Sequence, residues 1–305
     1  MNTSFFAGVL SGAVLSGTSI LYATVGEVIG ERSGIVNLGL EGVMLVGAVT
    51  GFVITAATGN PYLGVVAAGV AGAAFNMIFA YLVVTRRASQ LASGLTLMFF
   101  ALGLTAIMGR SYVGKPIGGL KDVRIPVLAD LPHVGRALFE KDVLVYLVIP
   151  VAISVWLLLY RTSWGLRIRA VGEDRTVAFA AGLKPDWLQY QALFVAGFLG
   201  GIGGGHLSIA YTKTWQEVMT AGAGFIAVGL VIFAMWSPIR AILGAVIFGG
   251  AVALQLQLQA RGTNVSPFLL DMIPYLLVLV VLMLFGRVKG RVVPAGLKNV
   301  FEGTG

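Results

Sequence analysis

The sequence predicts an all-α, polytopic transmembrane helical bundle with about nine membrane segments, eight to ten, organised as a single transmembrane domain over residues 1–305. Three observations carry that expectation. Of 305 residues 57% are hydrophobic and 11% charged, outside the range of soluble domains. The apolar residues cluster into runs that approach the roughly 20 residues needed to cross hydrocarbon. The intervening polar stretches are short, the longest being residues 109–142.

Taken in order, the runs are Phe5 to Val25, Ile35 to Ala57, Tyr62 to Val84, Leu91 to Met108, Val143 to Tyr160, Leu188 to Ile209, Gly222 to Trp236, Ala241 to Leu258 and Leu269 to Phe285. No lysine or arginine precedes the first, and no small-residue cleavage signal follows it, so it is expected to be retained. Between the first and second, residues 26–47 place Glu27, Glu31, Arg32, Asn37 and Glu41 among glycines, which predicts a broken helix. Asn37 and Glu41 share one helical face. Two readings stay open for them: a lining of the transport pathway, or a helix end at Glu31 and Arg32 with Glu41 as a satisfied packing carboxylate. Ala196 to His206 and Ala221 to Gly229 are glycine-rich and predict close helix contact. Pro238, Pro267 and Pro274 mark turns or kinks near helix ends.

Charge sets the orientation. With the N-terminus outside, twelve basic residues fall on the inner side and eight on the outer, six of those eight within 109–142; Arg32 is left unassigned. Long translocated loops weigh little in this rule, so the distribution predicts the N-terminus outside and the C-terminus cytoplasmic. That makes 109–142 an extracytoplasmic loop and 161–187 a cytoplasmic one. In the latter, Asp174 can cap a short helix that stops at Gly182, with Val177, Ala180 and Ala181 on one small apolar face suited to docking; an ordinary connection bearing interfacial arginines is the plainer reading. Arg167 and Arg169 are expected to meet lipid phosphates or a partner.

Several chemistries are excluded or unsupported. Without cysteine there is no thiolate metal site, and His133 and His206, both expected in outer loops, are too sparse for a metal centre. The net charge of +8 lies in loops, and no nucleic-acid motif accompanies it. The only Gly-Lys, at Gly114-Lys115, is followed by Pro116, where a phosphate-binding loop needs Ser or Thr. His-Glu-x-x-His and Gly-x-Ser-x-Gly are absent. An enzyme is not expected, and energy for transport must come from an ion gradient or a separate ATPase.

Thr162-x-x-Gly165, Arg169-Ala-Val-Gly172 and Ala180-Ala-Gly182 resemble the coupling loop of ABC importer permeases in the branched-chain amino acid and simple sugar group. Gly30-Glu-Arg-Ser-Gly-Ile-Val-Asn-Leu-Gly-Leu-Glu-Gly-Val-Met-Leu-Val-Gly47 resembles the nucleoside-type members, with supporting matches at Ser93-Gly94, Ala101 to Thr105, Gly222 to Ala227, Trp236-Ser-Pro238, and Ser266-Pro-Phe with Pro274-Tyr275. The resemblance runs from about residue 20 to 285 and points to the shorter permease of a pair. Two departures stand out: Leu97-Met-Phe-Phe100, where relatives often carry Asn, and Phe233-Ala-Met-Trp236, in place of Phe-Gly-Lys-Trp.

The resemblance implies the translocation subunit of an importer for nucleosides or purine-related compounds, in a bacterial inner membrane. A simple sugar permease and an ion-coupled secondary transporter are the alternatives. Implied partners are an ATP-binding subunit, a second homologous permease, an extracytoplasmic substrate-binding protein and membrane lipid, with no nucleic acid. No cofactor is expected on this chain, ATP and Mg being held by the ATPase. Candidate pathway residues are Asn37, Glu41, Asn76, Thr96, Met98 and Phe99; candidate coupling residues are Glu173, Asp174, Thr176, Val177 and Ala180.

Overall fold

The computed structural model describes residues 3–131, 134–262, 265–285 and 293–297. Its elements are α1 (Thr3–Arg32), α2 (Leu40–Thr58), α3 (Pro61–Ala80), α4 (Gln90–Gly109), α5 (Gly135–Phe139), α6 (Val143–Arg161), α7 (Ser163–Glu173), α8 (Arg175–Ala180), α9 (Pro185–His206), α10 (Ala223–Phe233), α11 (Pro238–Ala260), α12 (Pro267–Asp271) and α13 (Ile273–Phe285). A two-stranded antiparallel ribbon, β1 (Val123–Arg124) with β2 (Glu140–Lys141), is the only sheet among the described residues. The chain is a polytopic helical bundle.

Among the described residues, seven helices are long and apolar enough to cross a membrane. The two remaining predicted segments are shorter, Ala223–Phe233 and Pro267–Val280. The predicted end of the first segment at Val25 is corrected by the structure: α1 continues to Arg32 and carries Glu27 and Glu31 into the interior. Internal partners for both carboxylates make this extension tolerable. The break lies at residues 33–39, between α1 and α2.

Helix α1 is the central pillar, packed along α9, α10 and α11 and touching α6. At one end Lys141 Nζ donates to Ser11 Oγ at 2.5 Å, so the N-terminal part of α1 lies beside the 109–142 stretch. At the other end a side chain on Gly172 would collide with the Arg32 carbonyl, so α1 finishes against the 161–187 loop. On its flank α2, α3 and α9 form a tight seam. A Cβ on Gly201 would strike the Ala68 carbonyl on α3, and one on Gly204 would strike the Met44 carbonyl on α2. The glycine run of α9 thus lets three backbones approach, as the sequence predicts. Pro150 sits inside α6 without ending it.

His206, expected in an outer loop, is instead the last residue of α9 and is fully buried. Its ring bridges Ser19 Oγ (2.8 Å from Nδ1) and Asp142 Oδ2 (3.3 Å from Nε2), which gives a buried imidazole the partners it needs. His133 lies outside the described residues. A π-helical turn, Leu207–Tyr211, continues α9, and the chain then leaves helix. Residues 212–222 run beside α2, with Trp215 buried against Leu45, Ala48, Val49 and Phe52, and reach α10 partway along the bundle. The backbone of 114–117 holds this segment through Gly114 N to Trp215 O (3.1 Å) and Ile117 N to Lys213 O (3.0 Å).

Candidate functional site

Two assemblies of polar residues hold most of the predicted site residues: an exposed loop between α6 and α9, and a buried network around the α1–α2 break. In the loop, Thr162 Oγ1 accepts from Gly165 N at 3.1 Å and starts α7. Ile168 and Val171 bury the inner face of that helix. Arg169 is half-buried and bonds within the chain: Nε donates to Leu159 O at 3.1 Å, and the guanidinium lies 4.9 Å from the Tyr160 ring centroid. Arg167 remains exposed.

Asp174 ends α7 and starts α8, accepting from Thr176 N (2.8 Å) and Val177 N (2.9 Å). Eight residues after Asp174 the helix closes on Gly182 at φ +82, with Leu183 N bonded to Ala178 O and Gly182 N to Phe179 O. Such paired bonds around a left-handed residue satisfy the last carbonyls, and glycine takes that conformation without strain. Only Ala178 of α8 is buried. Val177, Phe179, Ala180 and Ala181 face outward, with Phe179 70% exposed. The loop is braced by Arg175, which donates to Gln189 Oε1 at 2.7 Å and pairs with Asp186. Burial, partly offset by Asp186, lowers the Arg175 pKa from its usual value. Glu173 accepts from Ala295 N at 3.2 Å, so residues 293–297 lie on the same end of the bundle.

In the break, the irregular backbone is satisfied by side chains from several helices. Asn37 N donates to Glu27 Oε1 at 2.7 Å, and Asn37 Oδ1 accepts from Gly39 N at 2.7 Å. Asn37 Nδ2 donates to Asn76 Oδ1 at 2.8 Å, while Asn76 Nδ2 donates to Leu193 O at 2.6 Å. One chain of bonds therefore ties α1, α3 and α9 to the break. Gln90 adds a bond from Val36 N at 2.9 Å. Arg32 donates to Trp236 O (3.3 Å) and Tyr160 Oη (3.0 Å), and Glu31 Oε2 accepts from Trp236 Nε1 at 2.5 Å.

Glu41 serves a second irregular backbone. Its Oε1 accepts from Thr220 Oγ1 (2.5 Å) and Gly222 N (2.8 Å), and its Oε2 from Gly224 N (2.7 Å). The carboxylate thus caps the start of α10, supplying from another helix what a local N-cap would give.

Of the predicted pathway residues, the structure brings Asn37 and Asn76 together and sets buried Glu41 on the entry to α10. Met98 is half-buried, and Thr96 and Phe99 are exposed on α4, which packs mainly on α2. The predicted coupling residues all lie on one short stretch, with Glu173 turned toward Ala295. Sequence reasoning missed Phe179, the bulkiest exposed group of α8. Its signal was an aromatic side chain in a six-residue helix whose other apolar residues are Val177, Ala178 and Ala180. It also missed Thr220, Gly222 and Gly224 as partners of Glu41, for which the Thr-Ala-Gly-Ala-Gly spacing was the available clue.

Comparison with known proteins bears on this arrangement. The family model described as branched-chain amino acid transport system / permease component matches residues 8–284. A putative glucose ABC transporter permease of Haloferax volcanii is 41% identical over 268 residues, 87% of this chain and 82% of the relative. A nucleoside ABC transporter permease of Lactococcus lactis is 32% identical over 91% of this chain and 92% of its own. A guanosine ABC transporter permease of Bacillus subtilis is 32% identical over 86% and 87% respectively. No solved structure matches.

Proposed function

Since the chain belongs to the branched-chain amino acid transport system permease family, we propose that it is the membrane-spanning subunit of an ABC importer for nucleosides or purine-related compounds. The observation that carries this reading is α8, a helix closed at both ends that presents Val177, Phe179 and Ala180 outward. A helix of six residues has little stability alone. Two backbone bonds to Asp174 and a glycine closure hold it in a defined pose, which suits a surface that must transmit force to a separate ATP-binding subunit. ATP and Mg belong to that subunit. A second permease and an extracytoplasmic binding protein complete the assembly in a bacterial inner membrane, with the 161–187 loop cytoplasmic.

Asn37, Glu41 and Asn76 hold the helix breaks beside the pathway, and Thr96, Met98 and Phe99 on α4 face the second permease or the pathway between the two. The nucleoside assignment is supported by the relatives named for nucleoside and guanosine, each covered over most of its length. A second reading, import of a simple sugar, is favoured by the glucose-named relative at 41% identity.

The test is ATP-dependent uptake of labelled nucleosides and of glucose into proteoliposomes holding the full complex. Nucleoside accumulation supports the first reading, and glucose accumulation without nucleoside transfers the assignment to sugars. The paired substitution Val177→Asp with Ala180→Asp is expected to keep membrane insertion while abolishing uptake; normal ATP-driven uptake by that variant would remove the docking assignment.

A further inference from the structure

Toward the end of the bundle that carries the 109–142 stretch, α1, the end of α9, the entry to α10, α11 and the α12–α13 pair enclose a cavity of about 490 Å³. That size falls within the range of small-molecule sites. The other clefts differ in kind: one is an apolar groove on the outer faces of α6 and α9, and two lie against the 161–187 loop. Here an apolar panel, including Ile20, Val252 and Leu256, meets a set of hydroxyls, a carboxamide and a carboxylate.

The direction of the hydrogen bonds in the wall decides what it can recognise. Thr220 Oγ1 donates to Glu41 at 2.5 Å, and Tyr275 Oη donates to Ala221 O at 2.6 Å. Thr212 Oγ1 donates to Leu207 O at 2.9 Å. Ser19 is fixed by a longer relay. Asp142 accepts from Leu144 N and Val145 N, which leaves Oδ2 to accept from His206 Nε2–H. This network assigns the lone pair to Nδ1, so Ser19 Oγ–H points into the wall toward His206. Four cavity hydroxyls therefore spend their protons inside the protein and turn only lone pairs to the cavity. Ser16 and Tyr211 bring two further hydroxyls to the wall. Asp271 adds an acceptor: Gln255 Nε2 (2.7 Å) and Gln259 Nε2 (2.6 Å) both donate to Oδ1, so Oδ2 bears neither bond.

We propose that this cavity is a solute site of the permease itself, built for an uncharged polyol such as the ribose of a nucleoside or a free hexose, and that it rejects the phosphorylated form of the same solute. A polyol, whose hydroxyls both donate and accept, suits a wall in which four hydroxyl oxygens and a carboxylate accept while Ser16, Tyr211 and Gln255 can donate. A phosphate brings acceptors and negative charge to lone pairs and a carboxylate, leaving both sides unpaired. The Asp142–His206–Ser19 relay is a positioning device that keeps one of those acceptors facing the ligand. The site rests on the importer reading for its role but not for its chemistry.

The experiment uses the complete transporter in nanodiscs, with equilibrium binding of labelled guanosine and labelled glucose and competition by guanosine monophosphate. Wild type is expected to bind at least one probe, with the monophosphate at least about 100-fold weaker than guanosine. Val252→Trp, which fills the cavity, is expected to abolish binding while the complex still elutes intact. Ser19→Ala is expected to weaken it about tenfold. Asp271→Asn keeps the volume and is expected to narrow the guanosine-to-monophosphate ratio, a change that misfolding would not produce. Wild-type binding of neither probe, equal competition by the monophosphate, or unchanged binding in Val252→Trp and Asp271→Asn each overturns the site. Binding that follows this pattern without ATP-dependent uptake supports the cavity and sinks the importer reading instead.

Discussion

Glu41 shows how much one side chain can hold. Replacing it with Leu strands the half-buried Gly222 N and two buried donors, Thr220 Oγ1 and Gly224 N, a buried donor costing about 1–3 kcal/mol when left unmade. Glu41→Leu is therefore expected to lower the thermal unfolding midpoint of the solubilised protein severely. Glu41→Gln, which keeps one acceptor oxygen but sets an NH₂ against a backbone donor, should fall between the two. A Leu variant as stable as wild type would refute the capping role. At this scale the sequence was half legible. An Asn and a Glu among apolar residues stand out wherever they occur, so Asn37 and Glu41 could be singled out. Their partners could not, because Asn76 lies 39 positions from Asn37 and Thr220 lies 179 from Glu41. Local pattern carries no information about such pairings.

Among elements, α8 was the most readable because its determinants are local. A capping Asp174 and a closing Gly182 lie within nine residues of each other in sequence and do in space what their chemistry dictates. Asp174→Ala should cost about 1 kcal/mol of local stability. Hydrogen exchange at Thr176 and Val177 is expected to accelerate about fivefold or more, with uptake reduced and insertion unchanged; unaltered exchange would show that packing, not the cap, orders the helix. Elements α10 and α12 were harder to read. Their hydropathy is that of full spans, and nothing in it reveals that residues 212–222 enter the bundle as irregular chain and shorten the helix that follows.

For the whole molecule, Asp142 joins three parts at once: it caps α6, receives His206 from α9 and, through that ring, reaches Ser19 on α1. Burial alone would raise its pKa, but the hydrogen bonds from His206 and from the two α6 amides outweigh that and hold it below the ordinary carboxylate value. A depressed folded pKa means that the stabilisation is complete above the unfolded value and fades as pH falls through the folded one. The difference in melting midpoint between wild type and Asp142→Asn should thus be constant from pH 7 to about 5 and shrink below about 4. A gap that persists unchanged in acid would exclude the carboxylate as its source. The bundle class, the spans and the polar break were legible because hydropathy and glycine density are additive properties of short windows. The relay was not, since an Asp at a predicted loop end and a His near a helix end look ordinary until three helices bring them together.

The contact between Glu173 and the Ala295 amide also matters at the bench. Leu297 is fully buried, and a side chain on Gly296 would crowd Gly172, so this tail segment is a strap laid across the base of the 161–187 loop. A fluorescent reporter or affinity handle fused directly after Leu297 would begin beside the surface assigned to the ATPase and compete with it for room. Fused ahead of α1, the same handle would sit at the opposite end of a 30-residue helix, where crowding it would not touch coupling.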